Sequence, residues 1–255
     1  MLRLLVGLCR DALRYRRFPR TYSAFRGVYP DFDTAARAAP TVKPLGYNNA
    51  ALAEEYVRTL STSVESYDYP MIFHLGNMAE KVRSVFDFGG NVGTHLYAYS
   101  RYVDLAPDLT WTVCEVPAIA RAGRRLADRR NEDRLAFTTV GDHASGVDVF
   151  LSSGAIQYFD HPSFADFLDG LPEKPAHLLL NRMPLHDGPE FVTLQNGGMT
   201  FYPQRVLNHG RFVSELGRIG YELVDTWKDH VDRCIIPFHA GRSLAHYFGM
   251  YLRLG

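Results

Sequence analysis

Three cysteines in 255 residues, Cys9, Cys114 and Cys234, are too few, too scattered and odd in number for a disulfide scaffold, a cysteine zinc site or an iron–sulfur cluster. Their scarcity points to a reducing, cytoplasmic compartment. Net charge is absent as well: 28 Lys+Arg balance 28 Asp+Glu, so the chain lacks the overall basicity of a generic nucleic-acid binder. No apolar run approaches the roughly 20 residues that a membrane-spanning helix needs. The apolar part of MLRLLVGLCR is short, and Arg3 and Arg10 bracket it without an A-x-A-like cleavage site, which disfavours a secretory signal. Repeats and low-complexity segments are missing too. What is there is 46% hydrophobic residues, enough to bury the core of one globular domain with an extension, or of two small domains.

The balanced total conceals an asymmetry. Residues 1–26 hold seven arginines and one acid, Asp11, for a charge of +6, which leaves −6 on the remainder. Leu2, Leu5, Cys9 and Leu13 recur at three- or four-residue spacing, while Arg3, Arg10, Arg14 and Arg17 take another face. That pattern fits a surface helix packed on its own domain, and it also fits a basic amphipathic helix resting on an anionic membrane or a partner. Residues 27–80 read as mostly helical and irregular, punctuated by Pro30, Pro40, Pro44 and Gly46, with an Asn-capped helix within 48–60. From Val82 onward strand, turn and helix alternate through VRSVFDF, THLYAYSRYV, LTWTVCEV, AIARAGRRLADRR and LAFTTVGD, followed by strands at 147–153 and 176–181. The alternation predicts an α/β fold, a parallel sheet with helices on both faces. We divide the chain into a basic, mostly helical extension over 1–70 and a ligand-binding domain over 71–255.

The sharpest local signal is Asp87-Phe88-Gly89-Gly90-Asn91-Val92-Gly93-Thr94-His95, directly after the apolar run SVFDF and ahead of a helical segment. Gly89 and Gly90 permit a sharp turn and close approach to a ligand, and Gly93 permits tight packing of helix on strand. A pyrophosphate loop reads G-x-G-x-x-G, whereas here a carboxylate stands two residues before the first glycine. Asp87 would repel a pyrophosphate and suit a cation, and S-adenosylmethionine carries an ammonium and a sulfonium and no phosphate. Glu115, 22 residues after Gly93, is placed to take two ribose hydroxyls. In VGDH, Asp142 or its neighbour His143 is placed for an adenine amino group. The loop after the fourth strand, SSGAIQYFDHP, offers Ser152, Ser153, Gly154, Gln157 and Tyr158 to the cofactor's far side.

Together VFDFGGNVGTH, CEVP, DVFLSSGAIQYFDHP, LLLNRMPLHDGPEFVTLQ and FVSELGRIGYELVDTW resemble the class I S-adenosylmethionine-dependent methyltransferases. More narrowly they resemble a bacterial family often encoded among polysaccharide and lipopolysaccharide genes. FRGVYPDFDTAARA and the Gly46-Tyr47 pair extend the likeness, which covers about residues 25–250. The resemblance implies a Rossmann-like sheet of seven strands with the last hairpin reversed, and one methyl donor per turnover. One position departs from the family, whose middle glycine is replaced by Asn91.

Methyl transfer is an in-line displacement that needs alignment, with a general base where the acceptor is a hydroxyl. His186 and His161, in loops after the fifth and fourth strands, are the candidate bases, ahead of His95 and His209. Tyr158 completes the catalytic candidates with Arg182, which could orient a carboxylate or phosphate on the acceptor or pair with a structural acid. Residues 191–204 suit a loop or hairpin covering the crevice, with Gln195, Phe201 and Tyr202 toward the acceptor. No metal-ligand spacing is present, and nucleic acid is disfavoured as substrate. The expected activity is O-methylation of a sugar or other small metabolite in surface-polysaccharide or secondary-metabolite biosynthesis. The expected partner is a small-molecule or glycan acceptor. A homo-oligomer, and a peripheral contact of residues 1–26 with the inner face of the membrane, are compatible with it. Two alternatives are an S-adenosylmethionine-binding sensor or scaffold, and an NAD-linked oxidoreductase, which Asp87 disfavours.

Overall fold

The computed structural model describes residues 2–60, 62–159 and 163–255. The chain starts with α1 (Leu2–Arg17), β1 (Phe25–Tyr29), α2 (Phe32–Arg37), α3 (Ala50–Arg58) and α4 (Asp68–Met78). The alternating region then gives β2 (Ser84–Phe88), α5 (Thr94–Tyr99), β3 (Thr110–Cys114), α6 (Pro117–Arg130), β4 (Leu135–Thr138), β5 (Val149–Ser153), α7 (Phe164–Asp169) and β6 (His177–Met183). The last third holds β7 (Leu185–His186), β8 (Phe191–Asn196), β9 (Phe201–Asn208), α8 (His209–Arg218), β10 (Tyr221–Asp229) and β11 (Tyr247–Leu254).

Seven strands form one sheet in the order β10-β11-β6-β5-β2-β3-β4. β2, β3, β4, β5 and β6 are mutually parallel, whereas β11 runs antiparallel to both β6 and β10, so the sheet has the expected reversed final hairpin. The chain enters at β2 in the middle, winds outward through β3 and β4, and returns to wind the other way through β5 and β6. That reversal leaves a crevice at the carboxyl ends of β2 and β5, the place where open α/β sheets bind ligands. All five residues of β5 are buried, as a central strand covered on both faces requires. Trp111, Met71, Leu75 and Tyr99 belong to one apolar cluster, and Phe86, Phe150, Leu178 and Phe212 to a second.

Local capping agrees with the sequence reading. Asn49 starts α3 by accepting the amides of Ala51 at 2.9 Å and Leu52 at 3.2 Å, satisfying donors that the first helical turn leaves free.

A second sheet was not foreseen. It has the order β1-β8-β9-β7, and its β8–β9 hairpin realises the covering hairpin anticipated at 191–204. β1 lies in a stretch that reads as helical and irregular; it becomes a strand because Phe25 and Arg26 pair with Gln195 and Leu194, partners remote in sequence. The segment before residue 70 is thereby tied to the rest: β1 pairs with β8, Ala53 of α3 packs with Ile119, Ala122 and Leu126 of α6, and Phe18 stacks on Phe201 of β9 at 5.2 Å. Among the described residues no helix is long and apolar enough to cross a membrane.

Candidate functional site

The turn after β2 is shaped by backbone demands at four positions. Gly89 has φ +73° and Asn91 φ +58°, both left-handed. Asparagine is among the few side chains that tolerate this region, so Asn91 replaces the family glycine without losing the turn, and its Oδ1 accepts the Val92 amide at 2.8 Å. A Cβ on Gly89 would collide with the Cβ of Ala155, so this glycine lets the turn meet the loop after β5. At Gly90 a Cβ would overlap the Asp87 carboxylate. Gly93 precedes α5 and packs toward Leu135 of β4, below the crevice.

Asp87 requires a correction. Its carboxylate, expected at the crevice, is fully buried: Trp111 Nε1 donates to Oδ2 at 3.0 Å, and His95 Nδ1 lies 3.0 Å from both oxygens. Burial works against a charge on His95, but the adjacent carboxylate overrides it and holds the imidazole above its ordinary pKa. The pair is a structural ion pair beneath the turn, so Asp87 acts on a ligand through the position of Gly90, and His95 is not available as a base.

Glu115, just beyond β3, does face the crevice. Its Oε1 accepts the Asn91 amide at 3.2 Å and its Oε2 the Val116 amide at 2.9 Å, which orients the carboxylate and leaves further acceptor capacity on each oxygen. Burial pushes its pKa up to about 7, against the two backbone amides, and the charge on Asp87 adds to the rise.

A cavity of roughly 600 Å³ opens at this point. Its floor includes Gly89, Asn91, Glu115, Thr139, Gly154 and Ala155. Its roof comes from elsewhere: Tyr22, Tyr47 and Tyr56 from the first 70 residues, Tyr158 from the loop after β5, and Gln195 and Tyr202 from the second sheet. Tyr47 lies flat on Tyr202 with ring centroids 3.7 Å apart and an interplanar angle of 3°, and Tyr158 meets Tyr47 edge-on at 5.0 Å. The Tyr158 hydroxyl donates to Gln195 Oε1, joining the sheet loop to the covering hairpin. Burial raises the pKa of Tyr47, Tyr56, Tyr158 and Tyr202, so these hydroxyls are hydrogen-bond donors and not bases at neutral pH.

Arg182, at the end of β6, lines the far wall of the cavity. Its Nε donates to Asp232 Oδ2 at 2.6 Å and its guanidinium lies 4.8 Å from the centre of the Tyr67 ring. Its φ is +55°, a left-handed backbone that costs an arginine about 1–2 kcal/mol and is typical of residues held in place at functional sites.

Other expected residues fall outside the cavity lining. Asp142 is exposed in the short 3-10 turn Gly141–Ala144, and His143 Nδ1 sits 2.9 Å from Thr138 Oγ1; Thr139 lines the wall in their place. Ser152 is fully buried and its hydroxyl donates to the Phe88 carbonyl at 3.0 Å, binding β5 to β2, and Ser153 is buried within β5. His186 is spent in a turn: Nε2 donates to the Pro189 carbonyl at 2.9 Å and Nδ1 accepts the Gly188 amide at 3.2 Å. Phe201 is buried against Phe18. His161 lies outside the described residues. Among the described residues no histidine lines the cavity. The sequence reading missed Tyr22, Tyr56 and the role of Tyr47; only the Gly46-Tyr47 pair carried a signal.

No family model matches this sequence, and no curated protein matches it. Solved structures do. The 1,6-didemethyltoxoflavin-N1-methyltransferase of Burkholderia thailandensis is 19% identical, with a TM-score of 0.50 over 85% of this chain and 94% of that one. A SAM-dependent methyltransferase from Aquifex aeolicus is 12% identical, with a TM-score of 0.51 over 80% of this chain and 98% of that one. The CcbJ methyltransferase from Streptomyces caelestis is 12% identical, with a TM-score of 0.51 over 80% and 96%. With strand order, the reversed hairpin and these likenesses in agreement, the chain has the fold of the class I S-adenosylmethionine-dependent methyltransferases.

Proposed function

We propose that this protein is an S-adenosylmethionine-dependent methyltransferase acting on a small-molecule acceptor. The observation that carries the reading is Glu115: a carboxylate fixed by two backbone amides, facing a cavity at the switch point of the sheet, with acceptor capacity left for two hydroxyls. The residues fit an adenosyl group. Glu115 would accept the ribose hydroxyls, Thr139 borders the side toward β4, and Gly89, Gly154 and Ala155 admit close approach of an extended chain. A pyrophosphate fits poorly, because among the described lining residues Arg182 is the one cation, and it lies three strands from β3, about 14 Å at the usual strand spacing. The Burkholderia methyltransferase, crystallised with S-adenosylhomocysteine, supports the same placement of a cofactor in this fold.

When bound, the cofactor supplies an electrophilic methyl group on a sulfonium. What this chain's residues contribute is alignment and exclusion of water. The tyrosine roof shields the crevice, Gln195, oriented by the Tyr158 hydroxyl on its Oε1, offers its amide N–H groups to an acceptor, and the Arg182 guanidinium can hold an acceptor oxyanion in register. His186 and His95 are held elsewhere, so what the described residues of the cavity supply to the transfer is proximity and alignment. Five tyrosines around the opening suit a ring-shaped acceptor, in keeping with a hydroxyl of a sugar or other small metabolite in surface-polysaccharide or secondary-metabolite biosynthesis, which the sequence resemblance suggests.

Calorimetric titration with S-adenosylmethionine, S-adenosylhomocysteine and NAD tests the reading. Micromolar binding of the two sulfur ligands, lost in Glu115→Ala, is expected; a preference for NAD, or no binding of either sulfur ligand, would overturn it.

A further inference from the structure

The helix α1 divides into three faces that the rest of the molecule uses very unequally. At 100° per residue, Gly7, Asp11 and Tyr15 form one side, and its C-terminal half meets the body: the Phe238 amide donates to Asp11 Oδ2 at 3.0 Å, and the Tyr15 ring lies 6.1 Å from that of Phe238. Arg10, Arg14 and Arg17 form a second, exposed side. The third side carries Leu5, Leu8, Ala12, Cys9, Leu13 and Val6 over an arc of about 160° and is turned to solvent. Leu5 is 52% exposed, Val6 60%, Leu8 49% and Leu13 48%. Of the two readings open from the sequence, packing of this apolar face on its own domain is therefore not what occurs, since the contacts to the body come from Asp11 and Tyr15 on another face.

We propose that α1 lies on an anionic lipid surface, with its apolar arc at the acyl boundary and its arginines among the headgroups. The charge is complementary: residues 1–26 carry +6, and Arg10, Arg14, Arg16, Arg17 and Arg20 are all exposed. Asp11, the single acid, is already engaged by Phe238 and lies near Arg10 and Arg14. Arg16 falls in the middle of the apolar arc but in the last turn of the helix, where a long stem can lie along acyl chains while the guanidinium reaches outward. Sixteen residues span about 24 Å, too short for the roughly 30 Å of a bilayer core, so the helix rests on the surface and does not cross. A second copy is a poorer occupant, because it would bring its own arginines against these. Phe238, half exposed beside Tyr15, extends the apolar surface. Tyr22, a few residues beyond the helix, lines the cavity mouth, so docking through α1 would bring that mouth close to the lipid.

The test is co-flotation of the full chain with vesicles of phosphatidylcholine alone and of mixed phosphatidylcholine and phosphatidylglycerol, with sedimentation velocity in parallel. Binding to the mixed vesicles, weakened by salt, is expected. Arg10→Gln, Arg14→Gln and Arg17→Gln together should weaken it about a hundredfold, at about fivefold per arginine. Leu5→Ser, Leu8→Ser and Leu13→Ser together should abolish it. Both triple variants alter exposed side chains only, so an unchanged melting temperature and unchanged adenosylhomocysteine titration confirm that the fold is intact. Absence of binding to the mixed vesicles, or equal binding to both kinds, overturns the proposal. So does a dimer that the leucine variant dissolves, which would assign the apolar arc to a second copy.

Discussion

Glu115 should govern two pH dependences of opposite usefulness. In the unliganded protein burial lifts its carboxyl from the ordinary 4.5 to about 7, while the amides of Val116 and Asn91 oppose the rise and Asp87 adds to it. A ribose diol donates two hydrogens, so the ionised form is the one that binds. With a midpoint near 7, about a tenth of the molecules are ionised at pH 6 and about nine-tenths at pH 8, so affinity for adenosylhomocysteine should rise about tenfold across that interval. Stability moves the other way. Between pH 4.5 and 7 the folded state holds a proton that the unfolded state has released, so the unliganded protein loses stability as pH rises through this window, by about 3 kcal/mol in total. Glu115→Gln cannot ionise. At pH 8 it should unfold at higher urea than the parent, yet bind adenosylhomocysteine about ten- to 150-fold more weakly, the about 1.5–3 kcal/mol of a charged hydrogen bond. Calorimetry and urea unfolding at pH 6, 7 and 8 supply both quantities. An affinity that is flat from pH 6 to 8, or a Gln variant less stable than the parent at pH 8, would refute the assignment of a buried, ionising carboxyl to the ribose position.

Asp87→Ala strips a buried imidazole and a buried indole of their acceptor and should cost about 3–5 kcal/mol in urea unfolding; an unchanged midpoint would show that the ion pair is not structural. Because His95 has a raised pKa in the folded state, its pairing contributes fully below its unfolded value near 6.5 and fades as pH rises through the folded value, so His95→Gln should remove that part of the stability slope. Gly89→Ala should abolish cofactor binding through collision with Ala155, and adding Ala155→Gly should restore it in titration, leaving about 1–2 kcal/mol of left-handed strain in the melt. Asn91→Gly should keep wild-type affinity, whereas Asn91→Val, forced to the same positive φ, should lose stability by at least about 1–2 kcal/mol.

Much of the sheet was legible because its determinants are local. Apolar runs such as SVFDF and VFLSS alternate with helical stretches, and the glycine-rich turn after SVFDF marks where strand becomes helix. Glu115 was legible for a related reason: a strand end must lie beside the crevice, whatever the loops do. Strand-end logic went astray where side-chain direction matters. Asp87 ends a strand too, but its side chain points down to Trp111 and His95, a choice that only their packing reveals. His186 looked free in NRMPLHDG until its own turn supplied partners for both ring nitrogens.

By itself the sequence determined the alternation of strands and helices from β2 to β6, the glycine-rich turn after β2, the capped start of α3 and the existence of a basic amphipathic helix, since each follows from periodicity, backbone allowance or capping within a few residues. Tertiary structure alone decided that Phe25–Tyr29 is a strand, that tyrosines from opposite parts of the chain roof one cavity, and which face of α1 turns outward. Those features depend on pairings between residues more than a hundred positions apart, and the backbone and side-chain contacts that stabilise them do not exist until the chain has closed on itself.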